Sequence, residues 1–241
     1  MSLLDTSTLV ASPTTSIVSV SIGKKVLMAV SGAVWVGYLI GHMLGNLQIF
    51  LGPDKINSYA HALKELGAIL WLVRGFVGLA LAVHIWTGIS VWIENKKARP
   101  VAYSCSGNVQ TGVSSRTMIY SGAGLLLFVI YHLLHFTLHT TNPEYAQLPL
   151  DNGRFDVFRM MILGFSNPMI SGLYAMGILG LAFHINHALM SMFQTLGLTS
   201  QNWIPRLKML AAALALVLFF GFLSIPAAVL AGCSQLSLGG M

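Results

Sequence analysis

Apolar residues in this chain come in long unbroken blocks, not in the period-two alternation of a half-buried strand. Five blocks approach the roughly 20 residues that a bilayer crossing needs. The first runs from about Val26 to Phe50, between Lys24–Lys25 and Asp54. The second covers about Leu66 to Ile93, is interrupted only by Arg74, and closes on Glu94 and the basic Lys96, Lys97 and Arg99. The third extends from Thr117 to about Leu138. The fourth opens at Asn167–Pro168, a cap residue followed by a first-turn proline, and fades near Gln194. The fifth runs from about Pro205 to Leu230. The expected fold is therefore all-α, an integral membrane bundle of five transmembrane helices. Its spans are about 26–50, 66–93, 117–138, 168–194 and 205–230, within one domain of residues 23–231. Residues 1–22, rich in Ser and Thr and without a basic cluster before a short apolar core, read as a flexible tail, not a secretory signal. Residues 232–241 form a second short tail.

Composition agrees. Only 8% of the 241 residues are charged and 55% are hydrophobic, against roughly 25% charged in soluble domains. The net charge of +6 comes from 13 Lys and Arg spread over several loops, so it argues for no nucleic-acid partner. Its distribution is informative. Lys24, Lys25, Lys96, Lys97, Arg99, Arg116, Arg206 and Lys208 fall on one side. The other side mixes Lys55, Lys64, Arg154 and Arg159 with five acids, Asp54, Glu65, Glu144, Asp151 and Asp156. The positive-inside rule then puts the N-terminus in the cytoplasm and the chain in the cytoplasmic membrane. Residues 57–66 and 154–163, both on the outer side, carry mixed apolar and charged faces and predict helices lying in the interface. Cys105 and Cys233 are far apart and match no C-x-x-C-H or cluster-binding spacing, which excludes a covalently attached haem or a thiolate-held iron–sulfur cluster.

Histidine changes the picture most. Seven of the eight lie in or at the ends of the spans, and LLLFVIYHLLHFTLHT (Leu125–Thr140) alone carries His132, His135 and His139, one stripe if the helix runs through them. Ionisable groups inside a bilayer are costly and by default mark a site, although a single membrane histidine can equally serve an interhelical hydrogen bond. Depth separates these cases. At about 1.5 Å per residue, His42 lies roughly 25 Å beyond Lys25 and His132 roughly 24 Å beyond Arg116, both on outward-running helices. His84 and His184, on inward-running helices, sit at similar depths near the inner side. Two pairs drawn from four helices suit two bis-histidine haems b, each iron taking one imidazole above and one below. Glycines at 37, 41, 45, 177 and 180 would give room. No carboxylate lies in the spans near these rings, against a di-iron site, and the pairs are too far apart vertically to pool ligands for zinc. A transporter with a histidine proton path remains an alternative, although neither broken helices nor an internal repeat is evident.

The run GHMLGNLQIFLG around His42, HIWTGISVWI from His84, SGAGLLLFVIYH ending at His132 and HINHALMSMFQTLG from His184 resemble the five-helix, di-haem cytochrome b anchor of the succinate dehydrogenase / fumarate reductase family. The likeness covers roughly residues 22–230. It implies His42 and His132 on an outer haem and His84 and His184 on an inner one. The family places a small residue ten positions before the third-helix ligand, which Gly122 supplies for His132 whereas His135 would meet Leu125. It places a glycine thirteen after the fourth, which Gly197 supplies for His184. His135 and His187 are then second histidines, for a propionate or quinone, and His139 faces headgroups or the quinone entrance. The likeness further implies flavoprotein and iron–sulfur subunits on the cytoplasmic face, with the succinate-oxidising site on a partner chain and higher oligomers possible. Electrons would pass through the two haems to a quinone, in most such members menaquinone. Candidates for the quinone site are Glu65, His61, Asn46 and Gln48, and Arg74 is a candidate propionate partner. A di-haem cytochrome b of a hydrogenase, formate dehydrogenase or nitrate reductase is the nearest rival.

Overall fold

A computed structural model describes residues 21–98 and 113–232. Most of the N-terminal tail, the connection with Arg99 and Cys105, the side chain of Arg116 and the end of the C-terminal tail with Cys233 lie outside the described residues.

Five helices are long and apolar enough to cross a membrane. They are α1 (Ser21–Asn46), α3 (Ala68–Lys97), α4 (Val113–Phe136), α6 (Pro168–Thr195) and α7 (Ile204–Leu230). Two shorter helices, α2 (Pro53–Glu65) and α5 (Val157–Phe165), lie in the connections at the end of the bundle opposite the chain's N-terminus, called here the cap end. α6 starts as its sequence dictates: the Asn167 side chain accepts from the Met169 and Ile170 amides at 2.9 and 3.4 Å, with Pro168 in the first turn. Its first orphan amides are thereby satisfied inside an apolar medium that offers them nothing else.

α3 packs on α1, α1 on α6 and α7, and α6 on both α7 and α4, while α3 and α4 touch little. The contacts use small side chains, as expected where lipid removes the hydrophobic drive for helix association. Ser31 of α1 and Thr87 of α3 are buried at their interface and spend their hydroxyl protons on carbonyls of their own helix. On α7, Ala211 and Ala215 pack with Met43, Ile185 and Leu189, and Met43 occupies the space a side chain at Gly221 would need. At the N-terminal end Lys24 and Ser21 both reach the Glu94 carboxylate, joining α1 to α3. Trp71, Leu72, Phe76 and Leu79 of α3 are left exposed, an apolar face fit for lipid.

The cap end departs from expectation. The segment from Arg154 is not one interfacial helix: Leu150–Asp151 and Arg154–Phe155 form a two-residue antiparallel hairpin, turned by Asn152 and Gly153 at φ +49° and +79°. α5 then begins at Val157 and is buried, with Phe158, Met161, Ile162 and Phe165 joining Ile49, Ile56, Tyr174, Ile225 and Val229 in one core. Its apolar residues circle the whole helix, so it cannot lie in an interface with one wet face. α2 stays half exposed above it. Asn57, wholly buried, fixes the arrangement: its amide nitrogen donates to Asp151 and Asp156 at 3.0 and 3.1 Å, and its oxygen accepts from the Phe158 amide at 3.0 Å. Arg154 binds Ser58 on α2 and bridges Asp54 and Asp151.

Replacing Asn57 by Leu leaves two carboxylates and a buried amide without their partner. The expected loss is about 2–4 kcal/mol of cap stability, seen as a lower unfolding temperature in detergent and faster proteolysis within 140–156.

Candidate functional site

Four helices deliver four histidines as two facing pairs. The rings of His42 (α1) and His132 (α4) lie 5.9 Å apart, centroid to centroid, at 85°. Those of His84 (α3) and His184 (α6) lie 6.3 Å apart at 66°. No hydrogen bond among the described residues joins the two rings of either pair, and no group of three or more His, Cys, Asp or Glu gathers among them that could hold a metal ion alone.

In three of the four rings one nitrogen is already committed. His84 Nδ1 lies 3.1 Å from the carbonyl oxygen of Met28 on α1. A carbonyl only accepts, so Nδ1 carries the proton and Nε2 keeps its lone pair. Gly32 makes the approach possible, since a Cβ there would stand 3.2 Å from the His84 ring. His184 Nδ1 lies 3.1 Å from Ser121 Oγ, which donates its own proton to the Met118 carbonyl and so has only lone pairs to offer the ring. Gly122, next in sequence, leaves ordinary contact distance to the same ring. His132 Nδ1 meets the Tyr174 hydroxyl of α6 at 3.3 Å. His42 is stacked on Tyr38 one turn earlier, 5.4 Å away and 13° from parallel.

The space between the pairs is kept open by missing side chains. A cleft of about 330 Å³ runs between α4 and α6, lined among others by Ser121, Gly124, Phe128, Gly177 and Gly180. It joins Ser121, which holds His184, to Phe128, whose ring lies 6.3 Å from that of His132. A Cβ at Gly37, Gly41, Gly124 or Gly180 would meet nothing within 4 Å. Gly45 and Gly177 do a different job. Tyr59 of α2 and Phe128 of α4 sit where their side chains would be, so these two serve close packing and add no room.

The remaining predicted residues scatter. His135 is fully buried, with Nδ1 3.0 Å from Tyr174 Oη and Nε2 3.4 Å from Tyr145 Oη. His187 is half-buried beside His184 on the next turn. His139 is not part of the stripe, because α4 ends at Phe136 and His139 turns with φ +54°, its ring stacked on Phe155 at 5.8 Å. Asn46 donates to the His42 carbonyl at 2.7 Å, spending its amide on its own helix, and Gln48 is half-buried in the following turn. Arg74 is exposed with its guanidinium over the Trp71 ring. His61 and Glu65, 3.8 Å apart on α2, line a second cleft of about 380 Å³ with Lys64, Gly153 and Phe155. Tyr174 and Tyr145 are the site residues that sequence alone did not single out. Tyrosine is ordinary in membrane interfaces, and only the fold reveals that both hydroxyls converge on histidines. Burial, with Glu144 and Tyr131 nearby, raises the Tyr145 phenol further above neutral, so it stays protonated.

No protein-family model, curated protein or solved structure matches this chain.

Proposed function

We propose that this chain is the membrane anchor and electron-transfer subunit of a succinate:quinone oxidoreductase, holding two haems b. The observation that carries the proposal is the spacing within the two histidine pairs. Two imidazoles bound to one metal at about 2 Å each stand with their centroids about 6 Å apart, and the pairs measure 5.9 and 6.3 Å. A bare ion would find only two protein ligands at either place, whereas a porphyrin brings the other four itself. The fixed Nδ1 protons of His84 and His184 leave Nε2 free to ligate. The open seam of α3 against α4, with the glycine-lined cleft, suits a flat macrocycle. When bound, haem b supplies reversible one-electron oxidation and reduction.

In this reading His84 and His184 hold the inner haem and His42 and His132 the outer one. With both axial positions filled by protein, no coordination position is left for oxygen or substrate. The cleft beside His61 and Glu65 is the candidate place for a quinone ring, whose reduction takes two protons with its two electrons. An exposed His–Glu pair can pass protons there from the water at the cap end. The N-terminal end, where the basic residues gather, is the cytoplasmic one and faces the flavoprotein and iron–sulfur subunits. Outward electron flow would be helped by a potential positive outside, by about 2.3 kcal/mol per charge per 100 mV. The transporter alternative is less well supported, since the rings within each pair share no hydrogen bond to carry a proton across.

A reduced-minus-oxidised spectrum of the purified chain should show b-type bands, with two haems per chain by pyridine haemochrome. A haem-free protein would sink the proposal. The native complex should carry a flavoprotein that oxidises succinate; co-purification with a hydrogenase, formate dehydrogenase or nitrate reductase would move the chain to the rival class.

Substitution separates the ligands. His84→Ala and His132→Ala should each cost one haem, and Gly32→Leu, which pushes the His84 ring aside, should cost the same haem as His84→Ala. If His132→Ala kept both haems while His135→Ala lost one, the outer ligand would have to be reassigned.

A further inference from the structure

Four side chains from three elements form one hydrogen-bonded string: Tyr145 in the turn Pro143–Gln147, His135 on α4, Tyr174 on α6 and His132 on α4. Its links are Tyr145 Oη to His135 Nε2 at 3.4 Å, His135 Nδ1 to Tyr174 Oη at 3.0 Å, and Tyr174 Oη to His132 Nδ1 at 3.3 Å. The middle of the string is dry, with His135 wholly buried and Tyr174 4% exposed. Tyr131 stacks on the His135 ring at 5.5 Å, Phe136 lies against it at 4.0 Å, and Gly164 of α5 leaves no space above it. His135 therefore has no route to a ligand of its own.

A neutral imidazole carries one N–H and one lone pair, and a phenol one O–H. Hydrogen bonds running head to tail through such a string all point the same way. If they run toward His132, Tyr174 gives its proton to Nδ1, and the His132 proton must sit on Nε2, facing His42. If they run away from it, His132 Nδ1–H donates to Tyr174, Tyr174 to His135 Nδ1, and His135 Nε2–H to Tyr145. Nε2 of His132 is then left with its lone pair. The third arrangement, both histidines donating to Tyr174, strands the Tyr174 hydroxyl proton in an apolar core at about 1–3 kcal/mol.

We propose that His135 is a positioning residue: through Tyr174 it holds the His132 proton on Nδ1 and so keeps the Nε2 lone pair turned toward His42. This rests on His132 being a ligand, as proposed above. The same job is done differently at the other pair. There a backbone carbonyl and a serine already spent on its own helix fix the tautomer in a single step. The outer pair alone is governed by a string that reaches the cap.

The test uses the full chain in its complex. Tyr174→Phe and His135→Phe should each keep both haems and raise the midpoint potential of one haem only, because an imidazole with no acceptor on Nδ1 is a poorer donor to oxidised iron. The double variant should shift it no further than either single one, and His135→Asn, which can still accept from Tyr174, should restore most of the original value. Ser121→Ala should move the other haem instead. Histidine ring ¹⁵N shifts give a readout that does not need iron: the His132 signal should report Nδ1–H in the parent and a tautomer mixture in both phenylalanine variants. Unchanged potentials with an unchanged His132 tautomer would overturn the proposal, as would additive shifts in the double variant. A parent chain without haem but with the expected tautomer change would instead remove the function proposed above and leave the string standing. If His135→Phe does not fold, Tyr145→Phe cuts the outer link alone and should produce a smaller shift of the same sign at the same haem.

Discussion

A histidine inside a bilayer must place two ring nitrogens where no water can serve either. Much of this bundle answers that demand. Each inner ring gives one nitrogen to a neighbouring helix and turns the other toward its partner, and the closeness this requires is set by small residues. Gly32 lets α1 meet the His84 ring, and Gly122 does the same for His184. Buried Ser31 and Thr87 allow α1 and α3 to run close without stranding a hydroxyl. A pair of rings about 6 Å apart and not hydrogen-bonded to each other is a costly thing to hold in an apolar medium, which is why the pairs read as places prepared for a guest.

The helices that carry the rings are not packed evenly, and the unevenness has a use. α6 and α7 form the dense side of the bundle, with Ala211 and Ala215 under Ile185 and Leu189. α3 and α4 barely meet. Had the chain been selected only to fill its interior, Gly124 and Gly180 would be expensive choices, since a Cβ at either would touch nothing. Small residues at Gly45, Gly177 and Gly221 show the contrast, because there a neighbour fills the vacancy. Glycine spacing alone cannot separate these two uses; what stands opposite does.

That difference explains what could be seen in the sequence. The five spans were legible to within a few residues, because a bilayer imposes length and apolarity on a helix regardless of its neighbours. Which histidines share a depth was also legible, since helix rise is fixed. Beyond the spans the physics becomes long-range. The third histidine of the α4 stripe leaves the helix at Phe136, and a continuous apolar run gave no sign of that ending. α5 was taken for an interfacial helix because Arg154, Asp156 and Arg159 were counted into it. In the structure Arg154 belongs to a hairpin, Asp156 is the cap residue, and the rest is buried. The Asn152–Gly153 pair was the available signal for that hairpin, masked by charges that suggested an amphipathic helix.

The cap is more than a lid, and its chemistry bears on the pair beneath it. The core that buries Phe158, Ile162 and Phe165 also buries Tyr174, so the residue that contacts His132 is held in place by α5. α5 in turn starts at Asp156, which is tied through Asn57 to α2, and α2 carries His61 and Glu65. A run of contacts therefore leads from the outer cleft to the outer ring pair. No comparable run reaches His84 and His184, whose partners Met28 and Ser121 belong to the spanning helices themselves. Two pairs of the same residue are thus set in unlike surroundings: one clamped locally within the bundle, the other dependent on how the cap is seated. A change at the cap has a physical route to one pair and not to the other, and this asymmetry follows from where the hydrogen bonds go, whatever group the pairs hold.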